Sequence, residues 1–401
     1  MWLRNLRVVL ADRLINGSIR IEDGLIADVR EGGSEGLDMG GLLAMPGLVD
    51  LHGDMLEREV EPRPNAQFPL ECAIAENDKR LASNGITTAY AAIAFSWEDF
   101  GDLRSEERAR EMIDVILSLT PSLLVDHRIH VRFAITNPEG GPILEDLIRQ
   151  GKIHLISLMD HTPGQGQFRD IERYINFAIE WRKITVGKSF TEEEMREHIA
   201  EMQARPKAWD LVRDIADLAR EADVPLSSHD DDSPEKVAFL AELGASMSEF
   251  PIDLASAQAA KDLGVHVIMG APNAFRGVSS TVGNLSALDG VRAGVVDILA
   301  SDYYPAAMLQ APFRVFREGA LDLAEAAALV TANPAKAAGL HDRGRIEAGL
   351  RADLVLVDDA AYPRVRATLR AGRPVYRDAS CPDIEVLARK QPPQMAELTE
   401  S

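Results

Sequence analysis

His52 and Asp54 stand two residues apart in Leu51-His52-Gly53-Asp54, directly after an apolar run. On an extended segment this spacing turns an imidazole and a carboxylate to the same side. Similar placements recur along the chain. His161 follows Leu158-Met159-Asp160, His229 follows Ser227-Ser228, Glu249 closes Ser246-Met247-Ser248, and Asp302 follows Leu299-Ala300-Ser301. Imidazole and carboxylate together suit a divalent transition metal, zinc first, with manganese or iron as alternatives. Such an ion lowers the pKa of bound water toward neutrality and makes a nucleophile for hydrolysis. One histidine at a strand end is more often a packed residue, but the matching strand ends together favour a metal site. Asp231 and Asp232 read instead as charges at the N-terminus of the following helix, where the macrodipole favours them. His127, His130, His154, His198, His266 and His341 do not share the strand-end placement. Of these, His154 and His266 read as core or barrel-wall residues, and His198 and His341 as surface.

The elements that must position these groups are legible as a repeat. Between about 47 and 335, apolar strands alternate with amphipathic helices. The candidate strands are 47–51, 87–93, 129–135, 153–159, 225–228, 246–248, 265–269 and 296–300. Thr191-Glu192-Glu193-Glu194 matches a capping box, and Ser233-Pro234 places a capping hydroxyl before a first-turn proline. Trp209, Val212, Ile215, Ala216 and Ala219 recur at helical spacing and predict one buried stripe. Eight strand–helix units predict an α/β fold, a (β/α)8 TIM-type barrel, whose catalytic groups collect at the C-terminal ends of its strands. An open doubly wound sheet is the runner-up, but no glycine-rich phosphate loop follows the first strand. The two chain ends carry short strands between turn signals: Asn16-Gly17, Asp23-Gly24, Gly32-Gly33 and Ala371-Gly372. Residues 1–45 plus 340–378 are therefore expected to form a small β-sandwich domain, with the barrel, 46–339, inserted between them. The stretch 379–401 reads as a mobile tail.

Composition limits the partners. Asp plus Glu number 64 against 43 Lys plus Arg, a formal net charge of −21. A chain this acidic is a poor general binder of nucleic acid or of anionic membranes. A polyanionic substrate would need local arginines or a metal to overcome the overall field. Only two cysteines occur, Cys72 and Cys381, which points to a reducing cytoplasm. No apolar run reaches the roughly 20 residues that span a bilayer.

Several segments resemble the amidohydrolase superfamily. Met45-Pro46-Gly47-Leu48-Val49-Asp50-Leu51-His52 is similar to the opening of its barrel, and Gly349-Leu350-Arg351-Ala352-Asp353-Leu354-Val355 to a closing segment. Within it, the chain resembles the phosphonate-metabolism branch, the ribose methylphosphonate triphosphate diphosphohydrolases of the carbon-phosphorus lyase pathway. Ser157-Leu158-Met159-Asp160-His161-Thr162-Pro163-Gly164-Gln165, Met269-Gly270-Ala271-Pro272-Asn273 and Ser301-Asp302-Tyr303-Tyr304-Pro305-Ala306 carry this narrower likeness. The resemblance implies cleavage of a 5-triphosphate to a 5-phosphate and pyrophosphate. His52, Asp54, His161, His229 and Asp302 would hold one or two ions, and Asp302 would orient and deprotonate the water. Arg63, Lys188 and Arg276 are the expected substrate cations, with Asn273 and Ser279 as further substrate contacts. The partner is then a small phosphorylated substrate, and a homo-oligomer is allowed for.

The resemblance also implies an acid near the end of the third strand, where this chain has Ala134, and a larger polar residue at Gly53. Either a single ion is bound, or Glu139 or a carboxylated Lys188 bridges two. The alternative function is an amidohydrolase acting on a cyclic amide, N-acyl amino acid or aminated ring. A metal-binding homologue without turnover is the third reading.

Overall fold

The computed structural model describes residues 1–63, 66–95, 105–185 and 189–384. Lys188 and the tail from 385 onward lie outside the described residues. The chain opens with β1 (Trp2–Val9), β2 (Leu14–Glu22), β3 (Leu25–Glu31), β4 (Leu37–Asp38) and β5 (Leu43–Pro46). The barrel strands are β6 (Leu48–Gly53), β7 (Ile86–Phe95), β8 (Asp126–Ala134), β9 (Leu155–Met159), β10 (Leu226–His229), β11 (Ala245–Glu249), β12 (His266–Gly270) and β13 (Ile298–Ala300). β14 (Leu354–Asp358), β15 (Arg364–Arg370) and β16 (Arg373–Arg377) follow. All eight predicted barrel segments are strands.

Both ends of the chain share one mixed sheet in the order β16-β15-β14-β5-β1-β2-β3, with β4 beside β1. The join is the antiparallel pairing of β14 with β5, Leu354 opposite Pro46, immediately before the barrel begins. Asp23-Gly24 and Ala371-Gly372 make the predicted turns, all four residues at positive φ. Asn16-Gly17 does not. It lies inside β2, paired with Arg7 and Leu6, and the chain reverses earlier, where Leu10 N donates to Arg13 O at 2.9 Å. A Cβ at position 17 would sit 2.3 Å from Arg30 O, so glycine here serves close strand approach rather than a turn.

The parallel barrel runs β6 through β13 in sequence order. Alternation assigns the faces: Ile129, Val131 and Phe133 of β8 pack outward with the helices, and His130 and Arg132 take the other face. Val49, Leu51, Tyr90, Leu155, Met247, Ile268, Ile298 and Ala300 fill the barrel interior. The barrel closes at the C-terminal rim of its strands. Gly53 bridges Asp302, Asp302 N donates to His52 O at 2.8 Å, and Asp54 N donates to Asp302 O at 3.1 Å. Buried Asp50 binds the same seam, accepting from Ser301 N at 2.9 Å and from Ser301 Oγ. A Cβ at Gly53 would meet Asp50 Oδ2 and Ser301 Oγ at 3.1 and 3.3 Å, so a side chain there would require this hydrogen-bonded pair to shift by a few tenths of an ångström. The Thr191 capping box and the Ser233 cap form as predicted. No helix among the described residues is long and apolar enough to cross a membrane.

Candidate active site

The C-terminal rim of the barrel opens into a cleft. Its lining includes His52, Asp54, Arg132, His161, His229, Asp230, Asn273, Ser279 and Asp302. Three non-glycine residues take positive φ at strand ends: Asp230 and Phe250 immediately after β10 and β11, and Asp302 two residues after β13. Such backbone costs about 1–3 kcal/mol per residue and persists where surrounding structure enforces it, commonly at functional sites.

Among the described residues, two groups have spacing suited to a metal ion: His52, His130 and Glu249, and His161, His229 and Asp230. They differ in how their atoms are already engaged. His52 Nδ1 lies 3.0 Å from Glu249 Oε2, which also accepts from Ser157 Oγ at 2.7 Å. Burial, then Arg132, pushes the His52 pKa down to about 3, so the ring is neutral. A neutral ring that donates from Nδ1 keeps its Nε2 lone pair for a ligand. His229 is buried, and neither of its ring nitrogens has a hydrogen-bond partner among the described residues. Its Nδ1 is 3.2 Å from Asp230 Oδ2, near enough for a shared ion but without hydrogen-bond geometry. His161 Nε2 is 3.6 Å from the same oxygen. Burial pushes His229 well below its ordinary pKa and raises that of Asp230. Orphaned, buried imidazole and carboxylate atoms converging in this way fit a bound cation. Phe250 stands edge-on to both His52 and His229, with ring centroids 5.0 and 5.3 Å away, and limits their rotation.

The Asp302 carboxyl is strongly perturbed by its surroundings. Burial, and then the Asp54 charge, raises its pKa well above the carboxylate range. That is an environment in which a carboxyl can take up a proton.

The structure brings His52, Asp54, His161, His229 and Asp302 together on one rim. It adds His130, Asp230 and Arg132, and it sets Glu249, the acid that closes the sixth strand, behind His52. His130 had been set apart from the strand-end residues, yet it joins His52 and Glu249. The legible signal is two polar residues, His130 and Arg132, alternating with Ile129, Val131 and Phe133 in the predicted strand 129–135. Asp231 and Asp232 do precede the helix Pro234–Glu242, but Asp231 is more than a charge at its N-terminus. Asp231 is fully buried and accepts from Ser228 Oγ and Ser248 Oγ, and Asp232 accepts from Gly166 N at 2.7 Å. Asn273 and Ser279 line the cleft, but Asn273 also spans Leu285 O and Ala287 N and so braces the wall. Arg63 is exposed and absent from the lining. Arg276 is exposed, 3.5 Å from the hydroxyl of Tyr303, which does line the cleft. Glu139 is exposed and lies outside the lining.

A model of the amidohydrolase family matches residues 148–376, and the chain belongs to that family. Its sequence is 36% identical over 370 residues to alpha-D-ribose 1-methylphosphonate 5-triphosphate diphosphatase of Escherichia coli strain K12, spanning 89% of this chain and 94% of that protein. Among solved structures it resembles N-acetylglucosamine-6-phosphate deacetylase of Thermotoga maritima, with TM-score 0.58, 18% identity, and coverage of 94% of this chain and 100% of that one. It also resembles 5-methylcytosine deaminase of Klebsiella pneumoniae, with TM-score 0.62, 14% identity, and coverage of 94% and 98%. At these identities the structural likenesses speak for the fold alone.

Proposed function

We propose that this protein is a metal-dependent diphosphohydrolase that cleaves ribose 1-methylphosphonate 5-triphosphate to the 5-phosphate and pyrophosphate. The observation that carries this reading is Arg132, a buried guanidinium facing the same cleft as the candidate metal ligands. A neutral amide has little use for a fixed buried cation, whereas a triphosphate needs one. The curated relative, matched over nearly its whole length, supports the same substrate class.

His161, His229 and Asp230 would hold a divalent ion, zinc by preference, with His52 Nε2 as a further donor and Asp54 and Asp302 beside them. When bound, the ion supplies an activated water at neutral pH and positive charge for the phosphoryl oxygens. The chain's own residues supply the rest. Asp302 holds the attacking water in line with the α-phosphorus and accepts its proton at a carboxylate oxygen. One water P–O bond forms as the bond to the pyrophosphate bridging oxygen breaks, and pyrophosphate leaves as an anion. Arg132 takes up charge on the phosphoryl oxygens as it develops. Ser279 on the far wall can donate to the polyphosphate. Cys72 and Cys381 are both free thiols, which supports a cytoplasmic location.

The test is turnover of the metal-reconstituted enzyme on that triphosphate, beside nucleoside triphosphates, N-acyl amino acids and cyclic amides. Pyrophosphate and amine release are both recorded. Pyrophosphate release is expected, reduced about 10²–10⁴-fold in Asp302→Asn. Amine release without pyrophosphate would overturn the reading.

A further inference from the structure

We infer that this centre holds a single metal ion, and that the Arg132 guanidinium stands in place of a second cation. What Arg132 binds rests on the phosphate-substrate reading above; the ion count rests on geometry alone.

Hydrogen bonding separates the two groups that have metal-like spacing. His130 Nδ1 lies 3.0 Å from Leu51 O. A carbonyl only accepts, so that nitrogen carries a proton and offers no lone pair. His130 Nε2 is 2.6 Å from Ser157 Oγ, which is 2.7 Å from Glu249 Oε2, and His52 Nδ1 completes the chain at 3.0 Å. Both His130 nitrogens, His52 Nδ1 and one Glu249 oxygen are thus already engaged. Glu249 Oε1 remains, 3.6 Å from His130 Nε2 and without a hydrogen bond. Besides it this group offers only His52 Nε2, the donor already turned to the ion of His161, His229 and Asp230, and a separate ion here would break a fully buried chain of hydrogen bonds. At His229 and Asp230 the orphaned nitrogens and Asp230 Oδ2 give up no hydrogen bond on binding a cation. The His130–Ser157–Glu249 chain therefore reads as the support that orients His52, not as a second centre.

Charge balance points the same way. The acidic side chains lining the cleft are Asp54, Asp230 and Asp302. Arg132 Nη1 is 3.7 Å from Asp54 Oδ2, Arg132 is only 8% exposed, and its Nε has no partner. One divalent ion and one guanidinium balance three carboxylates. A second divalent ion would stand beside, and be repelled by, a guanidinium that cannot deprotonate. An ion on one side and a planar, multidentate donor on the other would grip phosphate oxygens from two directions.

The experiment counts zinc per chain by elemental analysis after reconstitution in excess zinc and buffer exchange. Wild type, His229→Ala, Glu249→Gln, Arg132→Met and Arg132→Lys are compared, and thermal melts by circular dichroism verify folding. Pyrophosphate is then titrated calorimetrically into each zinc-loaded protein as the anion probe. One zinc is expected in wild type and in Glu249→Gln, and none in His229→Ala. Arg132→Met should bind pyrophosphate at least tenfold more weakly than wild type, and Arg132→Lys should recover part of the loss. Two zinc ions per wild-type chain, or loss of the ion in Glu249→Gln with retention in His229→Ala, would overturn the single-ion centre. Unchanged pyrophosphate affinity in folded Arg132→Met would overturn the role of the guanidinium. If wild type holds one zinc yet releases no pyrophosphate from the triphosphate, the substrate reading fails and the ion count stands.

Discussion

Lys236 reaches back from the helix Pro234–Glu242 and donates to the carbonyl oxygens of His229 and Asp230, at 3.1 Å each. Its ammonium also lies 3.7 Å from buried Asp231 Oδ1, an oxygen with no hydrogen-bond partner. One side chain thus holds the left-handed turn at Asp230 and offsets the charge behind it. Lys236→Met keeps the methylene stem and removes the donors. The expected result is zinc affinity about 10–100-fold weaker, measured by competition with a chelator, with the fold retained. Unchanged affinity would show that the strands alone fix these residues. At this scale the sequence revealed the residues that end strands, because His52, His161, His229 and Asp302 stand out against apolar runs. It concealed those whose environment comes from distant segments. Asp231 reads as a charge at a helix N-terminus because Ser248, which binds it together with nearby Ser228, arrives from the neighbouring strand.

At the scale of elements, β2 tests how tightly the terminal sheet is drawn. The Cβ of Gly17→Ala would meet Arg30 O on β3 at 2.3 Å, with backbone on both sides of the contact. The strands must separate locally, at a cost of about 1–3 kcal/mol. A lower denaturation midpoint with an unchanged m-value is the expected outcome, and an unchanged midpoint would mean that the sheet yields there freely. The same residue shows why Asn-Gly misleads: the pair signals a turn from local preference, but the bulge facing it, between Leu3 and Leu6, is set by pairing. The barrel strands were legible because both of their faces are covered, which leaves near-continuous apolar runs. β15 escaped notice because Arg364, Arg366 and Arg370 interrupt its apolar positions. Arg366 is neutralised only by Asp358 and Asp378, on either side of it in the fold.

Across the whole molecule, the barrel's two ends divide the labour between chemistry and stability. Reactive groups collect at the rim, while the opposite end is tied to the terminal sheet by charge. Arg343, only 4% exposed, donates to Thr88 Oγ1 at 2.9 Å, to Asp126 at the start of β8, and to Asp342 at 2.8 Å. Arg351 joins Asp126 to Asp353 beside β14, and Thr368 of β15 donates to Ala82 O at 2.7 Å. Removing one partner from a buried ion pair is far costlier than never having built it, because the remaining charge stays in a poorly solvated place. Arg343→Met would leave Asp126 with Arg351 at 3.7 Å and Arg128 at 3.6 Å, neither in close contact. Stability should fall by about 3–5 kcal/mol, read as a lower urea midpoint. Turnover and zinc content, measured well below the melting temperature, should stay within about twofold of wild type, since no Arg343 contact reaches the rim. A loss of kcat in fully folded Arg343→Met would show instead that the terminal sheet and the catalytic rim are mechanically coupled through β7 and β8. Arg132 lies six residues beyond Asp126 on β8, so the zinc-loaded variant's pyrophosphate affinity would report that coupling directly.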